Sequence, residues 1–503
     1  MWGTIALSAA TFMNVLDSSI ANVSLPSIAG DLGVSPNQGT WVITSFGVAN
    51  AIALPLTGWL SQRFGQVRLF TTSVLLFVLS SWMCGLAPSM GSLIAMRALQ
   101  GFVAGPMMPL AQALLLSSYP PALAGLAMAL WAMTTLVAPV MGPVLGGWIT
   151  DHMHWGWIFF INIPVGFLAA FITWTIYHKR ETPTRKLPID STGLALLVVS
   201  VSALQIMLDK GKELDWFHSV EVTSLAVVAL IGFAFLIAWE LTDDHPVIDL
   251  RLLKVRNFWA GTVAMAVAYS LFMGNLVLLP LWLQQFMGYT STQAGMLMAP
   301  VGLFAILLSP WVGKNISRFD PRSLTSFAFM VFALVLWMRS RFNTLADFDT
   351  IMIPTVIQGI ALAFFFIPLT SIILGGLPHE KIPSASGLSS FARIVGGSFG
   401  TSIAITVWQD RAALHHANLS ELINHGSSAT QSALAGFQQA GMDPTQALLQ
   451  INRMVDQQSF MMAANDVFFG SSMIFILLIP LVWLARPIKA GAGAAADAAA
   501  GAH

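Results

Sequence analysis

A carboxylate and a guanidinium stand inside apolar segments of this sequence. Asp17 lies in an apolar run over residues 2–24, and Arg97 lies in one over residues 91–116. A carboxylate at the centre of a membrane-spanning helix costs about 2.5–3.5 kcal/mol on insertion scales, so it is kept where it faces water, has a partner or carries a proton. Asp17 is therefore our first candidate for proton binding and release. Arg97 keeps its charge and offers five donors, so it can hold a carboxylate or modulate its affinity for a proton.

Both residues also have a structural interpretation, which the sequence leaves open. A carboxylate such as Asp17 can be fixed by hydrogen bonds between helices, and a guanidinium such as Arg97 can clamp neighbouring carbonyl groups. Arg393, in an apolar run over residues 384–408, lies nearer the expected cytoplasmic end of its span. A long side chain there can extend its charge to the membrane surface, so we favour a structural role for Arg393.

Uncharged polar residues within the apolar runs are candidates for lining an internal cavity. In the first run, Thr11, Asn14, Ser18 and Asn22 recur at helical spacing and form a polar stripe with Asp17 at its edge. The candidate cavity residues are Asn14, Asn22, Asn50, Gln112, Gln205, Asn275 and Gln358, together with Arg393.

The composition places these residues in a membrane protein. Of 503 residues, 56% are hydrophobic and 9% are charged, against about 25% charged in an ordinary soluble domain. Lys and Arg together number 23 and so do Asp and Glu, so no bulk charge points to nucleic acid. The single cysteine, Cys84, excludes a disulfide framework and a thiolate metal site. No phosphate-binding loop and no cluster of metal ligands stands out, and we expect no cofactor.

Fourteen apolar runs are long enough to cross a bilayer, which requires about 20 residues. The sequence thus predicts an all-α membrane protein with an even number of spans and both termini on one side. The approximate limits of the runs are 2–24, 40–60, 69–88, 91–116, 122–149, 156–177, 191–208, 221–241, 257–285, 291–312, 323–342, 350–375, 384–408 and 463–485.

The distribution of Lys and Arg predicts which side that is. If the N-terminus lies in the cytoplasm, 15 of the 23 Lys and Arg residues fall in cytoplasmic segments and 6 in outer segments, the latter including Arg339 and Arg341. The remaining two, Arg97 and Arg393, lie within spans. Positive residues are enriched on the cytoplasmic side of membrane proteins. We therefore expect both termini in the cytoplasm.

The chain also repeats itself. Pro55 and Gly58 followed by Arg63-Phe64 are matched by Pro310 and Gly313 followed by Arg318-Phe319, an offset of 255 residues, and Gln100-Gly101 is matched by Gln358-Gly359, an offset of 258. Two parallel halves of this kind are typical of one class of membrane transport protein. The predicted organisation is a six-helix bundle over 1–177, a linker with two additional spans over 178–256, a second six-helix bundle over 257–485 that includes a long outer loop at 410–462, and a tail at 486–503.

Four motifs follow one another in a characteristic order. They are LDSSIANVSLP at 16–26, GWLSQRFGQVR at 58–68, RALQG at 97–101 and APVMGPVLGG at 138–147. Together they resemble the first-span, loop, fourth-span and fifth-span motifs of the major facilitator superfamily, specifically its fourteen-span drug:proton antiporter branch. Segments 38–41, 155–164 and 239–244 also resemble this branch. The conformational motif residues are Gly58, Arg63, Gly65, Arg68, Gly142, Pro143, Gly146 and Gly147.

The resemblance implies a fold, an activity and partners. It implies the major facilitator fold and the export of hydrophobic or amphiphilic toxic compounds across the inner membrane, driven by the proton gradient. It implies proton coupling through Asp17 and Arg97. It also implies a periplasmic adaptor of the membrane-fusion type and an outer-membrane channel, and we expect the loop at 410–462 to dock the adaptor.

Some features depart from the family pattern, and other functions stay open. Gln62 stands where the loop motif usually has an acidic residue, which weakens the prediction of a charge relay or latch there. Ala138, Gly142 and Gly146 share one helix face and predict close packing against another helix. The resemblance further implies that this face forms the seam that closes one side of the cavity. A specific exporter of one metabolite or siderophore, and a membrane sensor that does not transport, are the alternatives. A membrane enzyme is disfavoured because paired catalytic groups at one depth do not stand out.

Overall fold

The computed structural model describes residues 2–487 except 35, 186, 187, 189, 212, 244, 245, 317 and 424–426, and it leaves some side chains within helices undescribed. The described residues form α-helices joined by short turns and 3-10 helices, with no strand among them. The helices are α1 (Trp2–Asp31), α2 (Pro36–Gly39), α3 (Trp41–Phe64), α4 (Gln66–Gly85), α5 (Met90–Ala104), α6 (Met107–Ser118), α7 (Pro121–His152), α8 (Trp157–Phe160), α9 (Asn162–Tyr177), α10 (Ser191–Lys210), α11 (Val220–Thr242), α12 (Arg256–Phe286), α13 (Ser291–Asn315), α14 (Pro321–Arg339), α15 (Phe348–Ala363), α16 (Phe366–Leu374), α17 (Ile382–Leu422), α18 (Ser428–Gln439) and α19 (Pro444–Trp483).

Among the described residues, 13 helical segments are long and apolar enough to cross a membrane. The 32-residue helix α7, some of whose side chains are undescribed, is also longer than the roughly 30 Å hydrocarbon core requires at about 1.5 Å per residue. Each of the fourteen predicted runs corresponds to one helix or to one broken helix. The prediction of an all-α membrane fold is confirmed.

The two halves share one packing pattern. In the first half α1 packs on α7, α3 on α5 and α4 on α9, and in the second half α12 packs on α17, α13 on α15 and α14 on α19. A corresponding span in each half is broken, between α5 and α6 and between α15 and α16. In the first half Pro106, which has no backbone N–H, stands at the break. The span formed by α8 and α9 is also interrupted, at Ile161. Helices α10 and α11 pack on each other, and α10 also contacts α3 and α17.

The halves meet near the membrane face that carries Arg63, Arg68 and Arg318, which we call the basic face. A Cβ atom on Gly313 of α13 would lie 2.5 Å from the Cβ of Ala129 in α7, so these helices touch almost backbone to backbone. At the other ends of the same helices, a Cβ on Gly147 or Gly295 would meet nothing within 4 Å. The halves are therefore in close contact at the basic face, whereas neither Gly147 nor Gly295 packs closely against another residue near the opposite one.

Most of the segment 410–462, which the sequence predicts as a long outer loop, is helical. Helix α17 continues to Leu422, α18 follows, and α19 already begins at Pro444. We call residues 408–422, α18 and residues 444–462 the outer hairpin. Its two long helices are tied by Asp466, whose Oδ2 lies 2.7 Å from both Arg411 Nε and His415 Nε2.

Candidate functional site

An ion pair is buried at the centre of the first half. Arg97 Nη1 lies 2.5 Å from Asp17 Oδ2, and each side chain is only 1% exposed. Asp17 comes from the middle of α1, while Arg97 comes from α5, which begins with a capping box formed by Ser89 and Ser92. The structure thus brings together the two residues that the sequence predicts for proton coupling.

Two amides complete the coordination of the carboxylate. Gln100 Nε2 donates to Asp17 Oδ1 over 3.1 Å, and Asn162 Nδ2 donates to the same oxygen over 2.7 Å. Gln100 stands three residues after Arg97, so both side chains project from one face of α5. Asn162, at the start of α9, belongs to the family-like segment 155–164 but is not among the predicted site residues, and it also donates to Ser81 Oγ over 2.9 Å.

The guanidinium is enclosed by aromatic rings and a backbone carbonyl. Arg97 Nε donates to the carbonyl oxygen of Val42 over 3.1 Å, and its Cζ lies 4.3 Å from the ring centroid of Phe46. Arg97 Nη1 also donates to Gln100 Oε1 over 2.6 Å. Electrostatic interactions are stronger where water is excluded. Protonation of Asp17 would remove the strongest of these interactions and leave Arg97 with neutral acceptors only.

The small residues of α7 pack beside this ion pair. A Cβ on Gly142 would clash with Ser19 of α1, and one on Gly146 would lie 3.2 Å from the carbonyl oxygen of Ile20. This face therefore forms a seam within the first half, two to three residues along α1 from Asp17. The contact of α7 with the second half involves Gly125 and Ala129 instead. The side chain of Pro143 is among those not described.

The loop motif is anchored by a residue that the sequence did not indicate. The carboxylate of Glu181, in the segment after α9, accepts from the backbone N–H groups of Val67 (3.0 Å) and Arg68 (2.8 Å) at the start of α4. A carboxylate at a helix N-terminus satisfies free donors and complements the helix dipole. Gly65 has φ +87°, which favours glycine. An acidic group is thus present at this loop although Gln62 is neutral.

The candidate cavity residues are distributed over both halves and α10. Gln112 and Arg393 lie between the halves: Gln112 Oε1 accepts from Ser386 Oγ, and Arg393 Nη2 lies 3.5 Å from Met108 Sδ. In the first half Asn14 and Asn50 are buried, and Asn22 is exposed and donates to the carbonyl oxygen of Ser18. Asn275 and Gln358 are buried within the second half, and Gln205 is buried in α10.

The second half contains its own buried arginine, which we had counted in an outer segment. Arg339, the last residue of α14, is 0% exposed. Its Nη2 donates to Thr355 Oγ1 over 3.1 Å and to Gln358 Oε1 over 2.7 Å. Gln358 corresponds to Gln100 by the 258-residue offset, and Asn275 corresponds to Asp17 by the same offset. Arg339 was missed because it ends an apolar run, where a charge normally reaches the membrane surface.

Known proteins resemble this chain over nearly its whole length. A model of the Major Facilitator Superfamily matches residues 7–401. The multidrug export protein EmrB of Escherichia coli (strain K12) is 50% identical over 492 residues, which cover 97% of this chain and 96% of the relative. The fatty acid resistance protein FarB of Neisseria gonorrhoeae is 48% identical over 486 residues, which cover 97% of this chain and 96% of the relative.

A solved structure supports the same fold. The proton:xylose symporter XylE superposes with a TM-score of 0.61 at 13% identity, covering 97% of this chain and 96% of that chain. The family predicted from the motifs is confirmed: this chain belongs to the major facilitator superfamily.

Proposed function

We propose that this protein exports hydrophobic and amphiphilic toxic compounds in exchange for protons. The observation that carries the proposal is the enclosed ion pair of Asp17 and Arg97, which is linked to the packing seam of α1 and α7. The relatives support the class of compound, since one is named for multidrug export and another for fatty acid resistance.

The ion pair supplies the proton-binding step. In the conformation described, Asp17 accepts hydrogen bonds from Arg97, Gln100 and Asn162, an arrangement that stabilises the ionised carboxylate. A proton on Asp17 neutralises the carboxylate and weakens its attraction to Arg97. Because Ser19 and Ile20 of α1 form the seam with Gly142 and Gly146 of α7, a shift of α1 is transmitted to the helix that contacts the second half.

The exchange follows from a difference in affinity between two conformations. A ligand shifts such an equilibrium only by as much as it prefers one state over the other. We propose that Asp17 takes a periplasmic proton while the protein is closed at its basic face. The protonated form then opens to the cytoplasm, where it releases the proton and binds the drug. The drug-bound protein closes again at its basic face only when Asp17 is ionised. Each drug molecule that moves outward is therefore coupled to a proton that moves inward.

The drug would bind between the halves. Gln112, Ser386 and Arg393 supply polar contacts there, while Met108 and Tyr269 supply soft and aromatic surface: the Arg393 Cζ lies 4.9 Å from the ring centroid of Tyr269. Methionine and aromatic side chains adapt to apolar ligands of different shapes. This mixture suits amphiphiles better than a single rigid metabolite.

We place the protein in the inner membrane with both termini in the cytoplasm, and the basic face on that side. The positive residues of the loops support this orientation. The outer hairpin then projects into the periplasm. It exposes apolar side chains, among them Leu448 (53% exposed), Leu449 (57%) and Met454 (53%), and we propose that it docks a periplasmic adaptor that leads to an outer-membrane channel.

Export and docking are tested separately. In energised inverted membrane vesicles, we expect uptake of a fluorescent hydrophobic dye that stops when a protonophore collapses the proton gradient; no uptake of any hydrophobic compound would instead favour a sensor. For docking, we expect Leu448→Ser combined with Leu449→Ser to abolish adaptor pull-down while dye uptake persists. Unchanged pull-down would place the adaptor elsewhere.

A further inference from the structure

The buried arginine of the second half lacks a counter-charge. Arg339 is fully enclosed, and only its Nη2 has acceptors, Thr355 Oγ1 and Gln358 Oε1. Its Nε and Nη1 are buried donors without a hydrogen-bond partner. Because guanidinium stays protonated in proteins, the site holds a full positive charge, and the N–H groups of two of its nitrogens, Nε and Nη1, have no acceptor.

No carboxylate compensates this charge within the described residues. None of their Asp or Glu oxygens lies within 4.0 Å of an Arg339 nitrogen. Asp466, on the neighbouring helix α19, is held by Arg411 and His415 instead. In the first half the equivalent requirement is met by Asp17, whereas the 258-residue offset places the neutral Asn275 at the corresponding position.

A further donor lies close to this region. Trp282 Nε1 is buried without an acceptor, and the Trp282 ring stacks on Phe342 with their centroids 5.9 Å apart. Phe342 is also linked to the arginine, since its N–H donates to the carbonyl oxygen of Arg339 over 3.1 Å. This part of the second half therefore contains three buried nitrogen atoms whose N–H groups have no acceptor among the described residues, one on α12 and two on α14.

We infer that the second half binds a small inorganic anion, with chloride as the cellular candidate, at the guanidinium of Arg339. An anion supplies both a hydrogen-bond acceptor for the N–H groups and a negative charge that compensates the guanidinium. Water would satisfy the donors but would leave a buried cation uncompensated, which is strongly unfavourable. A drug molecule does not fit the same description, because the side chain is fully enclosed and the exporter's ligand must enter and leave.

The test is the effect of chloride on the stability of the purified full-length protein. We expect the Tm of the wild type to rise by several degrees, and to saturate, as chloride replaces gluconate at constant ionic strength. Arg339→Gln should abolish this response. Arg341→Gln is the matched control, since Arg341 is exposed, stacks over Trp337 at 4.0 Å and carries the same charge, and this variant should respond as the wild type does.

Two results would overturn the inference: equal Tm values of the wild type in chloride and gluconate, or a chloride response that persists in Arg339→Gln. If Arg339→Gln does not fold, equilibrium dialysis of the wild type against radioactive chloride decides, because the site requires saturable binding and its absence excludes the site. Anion binding at Arg339 is independent of drug export, so either result leaves the proposed transport function untouched.

Discussion

A methyl group on Gly125 should push the two halves apart at the basic face. Gly125 of α7 packs on the backbone oxygen of Gly313 in α13, and an added Cβ would also lie 2.5 Å from Cγ2 of Ile316. A backbone atom cannot move aside as a flexible side chain can, so the helices must separate. Overpacking of this kind costs about 1–3 kcal/mol. If the cost falls only on the conformation closed at this face, the open one gains roughly 5- to 150-fold in population.

Distances between spin labels would measure this shift. Leu123 and Phe319 flank the contact and are 47% and 49% exposed, and the single native cysteine, Cys84, is buried, so that introduced cysteines label selectively. In the Gly125→Ala variant we expect a longer distance to dominate between labels at these two positions.

Gly147→Ala is the matched control for this experiment. Gly147 lies on the same helix, but a Cβ there would meet nothing within 4 Å, so the distance distribution should remain that of the parent protein. If Gly125→Ala and Gly147→Ala gave the same distribution, the contact between α7 and α13 would not determine the closed state, and our description of the interface would be refuted.

Two further predictions concern groups that support the ion pair and the loop. Asn162→Ala removes a donor to Asp17, and a hydrogen bond to a charged group is worth about 1.5–3 kcal/mol. We therefore expect a lower Tm than that of the wild type, and an unchanged Tm would exclude this role. Glu181→Ala removes the acceptor of two N–H groups at the start of α4 and should lower the free energy of unfolding by about 0.5–2 kcal/mol. We expect its Tm to be lower than that of Glu181→Gln, which keeps one acceptor. Equal Tm values of the two variants would contradict the proposed cap.

The apolar runs predicted most of the fold because a spanning helix must satisfy its backbone internally and face lipid. Apolarity did not predict where a helix ends when the helix continues beyond its apolar segment. Helices α17 and α19 extend far beyond their apolar segments, and polarity ended the predicted spans without ending the helices. The capping box of Asp443 and Gln446 at the start of α19 is a local signal that would have indicated this boundary.

The sequence identified both members of the ion pair but not their full surroundings. Asp17 and Arg97 stand out because charges are rare in spans, whereas Asn162 is one of several amides and its contact with Asp17 depends on the packing of α9 against α1. Glu181 could not be predicted either, because it reaches the loop from more than a hundred residues away. Such contacts arise from tertiary packing, and the spacing of residues along one helix does not predict them.

The central claim is that Asp17 carries the proton that is exchanged for the drug. The most direct measurement is drug-dependent proton release from inverted vesicles containing wild type or Asp17→Asn, with drug binding measured in parallel. We predict that the wild type releases protons when drug is added, and that Asp17→Asn binds the drug without releasing them. Normal proton release by Asp17→Asn would contradict the claim, place the coupling group elsewhere and leave Asp17 as a structural carboxylate.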